Sequence, residues 1–424
     1  MQRSLFATSP TGDLVRVTGN DPRFGPWEHV AFVPHPLPAE TPSLQASTGM
    51  AVADARAALA GLDSSARQLP DPGLLRRPTL RREAQSTSAL EGTFAPLEQV
   101  LAADEDEDSP DGNLSEVVNY VRAAEHAFAW HAEGRPLTIG LLADLQGRLV
   151  RGTAAATPHA ARVRDIQVVI GGDRNARIQD SRFVPPPPGP SLQAALQALI
   201  DWMSHDQTGR IDPVVAAAMA HYQFETLHPF NDGNGRIGRL LVVVHLMVTG
   251  TLVEPTLTVS PWFEARRADY YDRLLAVSAL GDWDAWIRLF ADGLRASATS
   301  AQRQLVDLLA VQADLKARVR EAGMRADTAL QLVDYALEQT IFSVGQLRRR
   351  LGVTYPRANA MVGQLVTAGV LQQYGTGNYD RRFVAPDVLA ILLRPARRPV
   401  RTVRAAPAAG RRAPGPPRDR AGRR

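Results

Sequence analysis

His228-Pro-Phe-Asn-Asp-Gly-Asn-Gly-Arg-Ile-Gly-Arg239 sits between two apolar helical patterns, one opened by Asp212-Pro213 and the other the run LLVVVHLMV at 240–248. A Gly-Asn-Gly turn that enters a helix leaves several backbone N–H groups pointing into one concavity, a ready site for phosphate oxygens. Arg236 and Arg239 stand three apart on the first helical turn, so both guanidinium groups can reach the same anion. Asp232 lies beside the turn, where one carboxylate can hold Mg²⁺ against phosphates. His228 closes the preceding helix, and an imidazole next to a bound phosphate suits proton removal from an attacking hydroxyl. Each part alone is ordinary, because a histidine near a helix end is usually structural and Gly-Asn-Gly is usually only a turn. Their joint occurrence within twelve residues carries the reading.

The stretch matches every fixed position of HxFx(D/E)GNGRxxR, the signature of the Fic family, which the chain resembles over roughly residues 30–295. The resemblance implies a mainly α fold: a Fic-type helical core with a β-hairpin flap, followed here by a winged-helix-like domain. It implies ATP as substrate with Mg²⁺, and transfer of AMP to Tyr, Thr or Ser hydroxyls of a target protein. His228 would be the general base, Phe230 the core anchor and Asp232 the metal residue. Gly233, Asn234, Gly235, Arg236, Ile237, Gly238 and Arg239 would hold the phosphates, with Tyr270 and Tyr271 near the adenine. The stretch from Val163 to Val184, with IGG and VPPPP, reads as a hairpin and resembles the family's flap, which receives the target by strand addition.

Thr87-Ser-Ala-Leu-Glu91-Gly92 resembles the family's inhibitory pattern, (S/T)xxxE(G/N). Thr87 and Glu91 share one helical face. Docked on the phosphate site, that face would pair Glu91 with Arg239 and exclude the outer phosphate of ATP. A helix over 78–92 ending at Gly92 is expected, glycine being the residue best suited to a left-handed C-terminal position.

Residues 1–45 read as an extended segment laid over a later core, 46–130 as a helical region with the inhibitory helix, and 131–295 as the core domain. A linking helix is expected over 296–324, then 325–392 as helix, helix-turn-helix and β-wing, which resembles a winged helix. Its recognition helix would begin at Thr354 and carry Arg357 and Asn359, with Arg381 and Arg382 on the wing. The tail from 393 is expected to be disordered.

The 424 residues exceed a single core. With no cysteine there is no disulfide, thiolate catalysis or cysteine-ligated metal. The longest apolar run is too short to span a bilayer and the N-terminus lacks a signal-peptide core, so a soluble cytoplasmic protein with no membrane partner is expected. The net charge of +4 conceals a tail, 394–424, of eleven arginines and one aspartate, so the body carries −6 and the high isoelectric point says nothing of a nucleic-acid surface there. Self-modification, a homodimer and DNA contact through 325–392 stay open at this stage. The alternative function is a winged-helix DNA-binding regulator whose Fic domain senses nucleotide.

Overall fold

The structure is a computed structural model, described for residues 1–67, 73–104, 111–171, 177–205, 209–324, 327–376 and 381–394, all within one unit, Met1–Arg394. The arginine tail from 395 onward lies outside the described residues. The chain opens with antiparallel strands β1 (Gly12–Asp21) and β2 (Gly25–Pro34), paired from Gly12 opposite Pro34 to Asp21 opposite Gly25. The N-terminal stretch is therefore a regular hairpin and not a single extended segment. Helices follow: α1 (Ala46–Arg67), α2 (Gly73–Leu90), α3 (Leu97–Ala102), α4 (Gly112–Ala132), α5 (Ile139–Val150), α6 (Pro190–Ser204), α7 (Pro213–Leu227) and α8 (Asn234–Val248). After α9 (Ser260–Glu264) and α10 (Arg267–Leu280) comes α11 (Trp283–Glu321). The last part is α12 (Asp327–Gln339), β3 (Ile341–Ser343), α13 (Val344–Leu351), α14 (Tyr355–Thr367), β4 (Gln372–Tyr374), β5 (Arg382–Val384) and α15 (Pro386–Leu392).

Two helices form the centre. Asp212 caps α7 by accepting from Val214 N at 2.8 Å, and Pro213 supplies the preset first-turn φ. Nearly all of α7 and every residue of α8 from Asn234 to Met247 is buried, as expected of helices apolar on all sides. The alanines 216–218 and 220 keep α7 thin enough for neighbours to close on it. Only residues 228–233 separate the two helices, so the signature loop is clamped at both ends by core.

The structure departs from expectation in three further places. The helix expected over 78–92 begins at Gly73, carries Pro78 inside it and stops at Leu90, with Gly92 beyond it at φ 92°. Among the described residues the Val163–Val184 segment is not a ladder of paired strands: one bridge joins Ile170 to Phe183 and the others form loop and a 3-10 turn at Ile178–Asp180, while 172–176 lies outside the described residues. The linking helix has no start near 296, because α11 runs unbroken for 39 residues from the Asp282 cap. That helix, about 58 Å long, packs along α1, where Gln302 Nε2 donates to the Gly61 carbonyl at 3.1 Å and Ser65 Oγ at 3.0 Å.

Three apolar clusters result. The largest surrounds α7 and α8. A second joins α12–α15 to Leu305, Leu308, Leu315 and Val319 of α11 and to Leu101 and Ala102 of α3. In this part the sheet order is β3-β5-β4. The third holds Phe6, Phe32 and Phe183, and Phe32 N donates to the Val184 carbonyl at 2.9 Å, so the N-terminal hairpin props the 178–184 segment. No described helix is long and apolar enough to cross a membrane.

Candidate active site

α7 ends when His228 takes a left-handed conformation (φ 47°, ψ 59°), and α8 begins after Gly233 does the same (φ 82°). A non-glycine residue there is uncommon and needs support. Arg164 supplies it: only 2% exposed, it donates through Nε to the His228 carbonyl at 2.8 Å, through Nη1 to Ile166 O at 3.1 Å, and through Nη2 to the carbonyl of Pro186. Asn234 closes the loop from within, its Nδ2 donating to Phe230 O at 2.7 Å while Phe230 N donates to its Oδ1 at 2.8 Å. Phe230 is fully buried and anchors the loop.

The amides of Asn234, Gly235 and Arg236 open α8 and so lack intrahelical acceptors. Both arginines stand at this cradle, and each is already paired. Arg236 Nη1 donates to Glu116 Oε2 at 2.9 Å and Nη2 to Asp232 Oδ1 at 2.6 Å. Arg239, wholly buried, donates through Nε to Thr87 Oγ1 at 2.7 Å and through Nη2 to Thr87 O at 3.1 Å and Glu91 Oε1 at 2.6 Å. The Glu91 carboxylate lies over the helix entrance: a Cβ added at Gly235 would come within 2.1 Å of its Oε1. Arg239 Nη1 and Arg236 Nε are buried with no hydrogen-bond partner. Burial by itself would raise the Glu91 pKa, but the Arg239 guanidinium outweighs it and holds the carboxyl below its ordinary value.

Burial pulls His228 down to about 4, with the Arg164 charge adding to the shift, so the ring is neutral near pH 7. Its Nδ1 lies 3.3 Å from the Glu225 carbonyl, which can only accept; Nδ1 therefore carries the proton and Nε2 is the basic nitrogen. Among the described residues no three His, Cys, Asp or Glu side chains gather as a metal cage. Mg²⁺ needs only one or two carboxylates plus phosphate oxygens and water. Asp232, about half exposed beside the cradle, fits that demand; burial raises its pKa, and Glu116 and Glu91 add repulsion that a cation would relieve.

The fold thus brings together His228, Asp232, Arg236, Arg239, Thr87 and Glu91. Gly92 follows at the left-handed turn. Ile237 points into the core, and Gly238 offers its carbonyl to His221 Nδ1 at 3.1 Å. Tyr270 is fully buried with its hydroxyl 2.7 Å from His221 Nε2, so of the two tyrosines only Tyr271 has exposed surface. Sequence reasoning missed Glu116, Arg164 and Glu225. Burial lifts the Glu225 carboxyl to about 8, and its Oε1 is buried without a hydrogen-bond partner, 4.0 Å from His221 Nε2. Its place three residues before His228 was the one available signal.

Residues 136–246 match the Fic/DOC family model, and residues 50–129 match the model of the Fic/DOC family N-terminal region. The chain carries a Fic/DOC-family domain. The two matches run from within α1 to within α8, so α2 and Glu91 fall in the N-terminal Fic region and residues 228–239 in the Fic domain. Protein adenylyltransferase fic-1 of Caenorhabditis elegans is 36% identical over 140 residues, 32% of this chain and 24% of that relative. Protein adenylyltransferase Fic of Culex quinquefasciatus is 35% identical over 128 residues, 30% of this chain and 24% of the relative. The chain thus spans about a quarter of the length of these curated relatives. A Fic family protein from Desulfovibrio desulfuricans G20 superposes with a TM-score of 0.52 at 21% identity, over 82% of this chain and 98% of that one, which places the Fic fold here.

Proposed function

We propose that this Fic chain transfers AMP from ATP to Tyr, Thr or Ser hydroxyls of a protein target and that Glu91 restrains it. The observation that carries the reading is Arg239: a fully buried cation at a helix N-terminus whose anionic partner is the third-exposed Glu91 carboxylate, standing where a phosphate would. His228 Nε2 takes the proton of the target hydroxyl as its oxygen bonds to the α-phosphorus. The bond from that phosphorus to the bridging oxygen breaks, and pyrophosphate leaves with the electron pair. The amides at 234–236 and the two arginines stabilise the charge that develops. Asp232 would hold Mg²⁺, which supplies neutralisation of the phosphates. The 163–184 segment, propped by the N-terminal hairpin, would seat the target chain.

Purified wild type, Glu91→Gly and Glu91→Gly/His228→Ala are incubated with Mg²⁺ and ATP labelled at the α- or γ-phosphate, with self-modification and lysate proteins as acceptors. Protein label from the α position only, strongest in Glu91→Gly and lost in the double variant, is expected. No label in Glu91→Gly from either position sinks the reading.

A second reading rests on the order α12, β3, α13, α14, β4, β5, which resembles a winged helix, with Tyr355 and Arg357 exposed on α14. Part of its basic surface is already engaged, since Arg381 donates to Asn359, Arg349 to Asp104 and Arg350 to Glu338. DNA binding that survives both His228→Ala and physiological salt would favour a regulator.

A further inference from the structure

Every acceptor the structure gives the Arg239 guanidinium lies on or just beyond one helix, α2. Two of the three belong to Thr87 and one to Glu91. The two residues are anchored very differently. Thr87 is fully buried between buried Ser86 and Ser88. Glu91 lies past the last helical residue, in a turn closed by Glu91 N to Ser88 O at 3.0 Å and Gly92 N to Ala89 O at 3.1 Å, and nothing lies within 4 Å of where a Gly92 side chain would start.

Behind Thr87, α2 is held from two sides. On the side of the Fic domain, the buried Glu83 carboxylate accepts from Ser260 N at 3.0 Å and from the Ser260 hydroxyl. On the side of the C-terminal part, Arg82 donates to the carbonyls of Leu392 at 3.3 Å and Arg394 at 3.0 Å. Arg81, 2% exposed, donates to Leu101 O at 2.7 Å and reaches Gln339 Oε1 at 3.4 Å. Relief of inhibition by withdrawing α2 would break all of these bonds. It would also strip a buried guanidinium of every acceptor at the moment it must be posed for a phosphate, a costly state.

A guanidinium is planar, so bonds at Nε and Nη2 fix its plane. Nη1 then points, unpartnered, at the helix entrance, 3.0 Å from where a Gly235 side chain would start. We propose that Thr87 is a positioning residue of the working enzyme. Its hydroxyl and carbonyl hold Arg239 aimed at the outer phosphate of the nucleotide while Glu91 alone gives way, so the turn after α2 is the brake and the last turn of α2 a brace. The inference rests on the AMP-transfer reading above and separates Thr87 from the inhibitory role that the sequence pattern lends it.

The test compares Thr87→Val and Thr87→Ser in the Glu91→Gly background, reading rate against Mg-ATP concentration and, by calorimetry, ATP affinity. Losing a hydrogen bond to a charged group should raise KM and Kd for ATP on the order of tenfold in Thr87→Val, while Thr87→Ser, which keeps the hydroxyl, stays within about twofold. Thr87→Val in the chain that keeps Glu91 should not activate it. Unchanged ATP parameters in Thr87→Val, an equal loss in Val and Ser, or activation by Thr87→Val with Glu91 present would each overturn the proposal. Where Thr87→Val does not fold by thermal melt, Thr87→Ala carries the same comparison. Absence of transfer in Glu91→Gly, with ATP affinity still dependent on the Thr87 hydroxyl, would remove the AMP-transfer reading and leave the positioning role standing.

Discussion

Replacing Glu91 in steps separates charge from occupancy. Glu91→Gln keeps the shape and removes the charge; Glu91→Gly removes both. The ion pair spans 2.6 Å between a guanidinium with no exposure and a carboxylate whose side chain is 31% exposed. A charge-assisted hydrogen bond contributes about 1.5–3 kcal/mol net. The Coulomb attraction of two charges at about 4 Å in an effective dielectric near 20 is about 4 kcal/mol. The exposed third of the carboxylate is screened by solvent, which favours the lower figures. At about 1.4 kcal/mol per tenfold, an outer phosphate that must displace Glu91 gains roughly 10- to 100-fold when the carboxylate is removed. Initial rates of label transfer from α-labelled ATP, at ATP well below saturation, should rise by about that factor in Glu91→Gly and by less in Glu91→Gln. A Glu91→Gly rate no higher than wild type would refute the brake. A Glu91→Gln rate equal to wild type beside an active Glu91→Gly would show that the side chain blocks by filling space and not by pairing.

Arg164→Met should lower the melting temperature, with a loss of about 2–3 kcal/mol as buried carbonyls lose a charged donor; in the Glu91→Gly background it should also slow transfer, since the His228 carbonyl loses its anchor. An unchanged melt would show that the left-handed turn supports itself. Glu225→Gln tests the raised carboxyl: with a folded value of about 8 against an ordinary 4.5, the native state keeps a proton that the unfolded chain releases. The stability from that proton is present below about pH 4.5 and is lost as pH rises through 8. The melting temperature of Glu225→Gln relative to wild type should therefore be higher at pH 8 than at pH 5, and a difference that does not change between them would contradict the assignment.

The residues at 228–239 were legible because their chemistry is local: the turn glycines, the two arginines and the histidine are adjacent in the chain, and a short loop between two apolar helices leaves little freedom in how they meet. The facing of Thr87 and Glu91 was legible for the same reason, although Glu91 sits in the turn just after α2 and not on the helix itself. Glu116 and Arg164 were not, since each is one charged residue among many in an ordinary pattern and gains meaning only from what it meets 120 and 64 residues away. The 163–184 segment misled because its apolar alternation and Gly-Gly pair fit a hairpin, whereas among the described residues only 170–171 pair with 182–183, and the two ends bond to other segments, Arg164 N to Pro229 O and Phe32 N to Val184 O. The start of α11 misled in another way: nothing in an amphipathic pattern marks where one packing partner is exchanged for the next, and this helix serves two cores.

The amino-acid sequence alone carried a mainly helical Fic-type chain, the adjacency of His228, Asp232, the glycine turn and the two arginines, and the four-residue spacing of Thr87 and Glu91, because these follow from neighbouring residues and helical spacing. It took the packing of distant segments to bury Arg239 wholly, to draw all its acceptors from α2 and the turn that follows it, and to grip α2 from both sides. Those facts depend on which distant surfaces pack together, and burial is what makes the pairing of an ordinary arginine with a threonine and a glutamate exclusive of water.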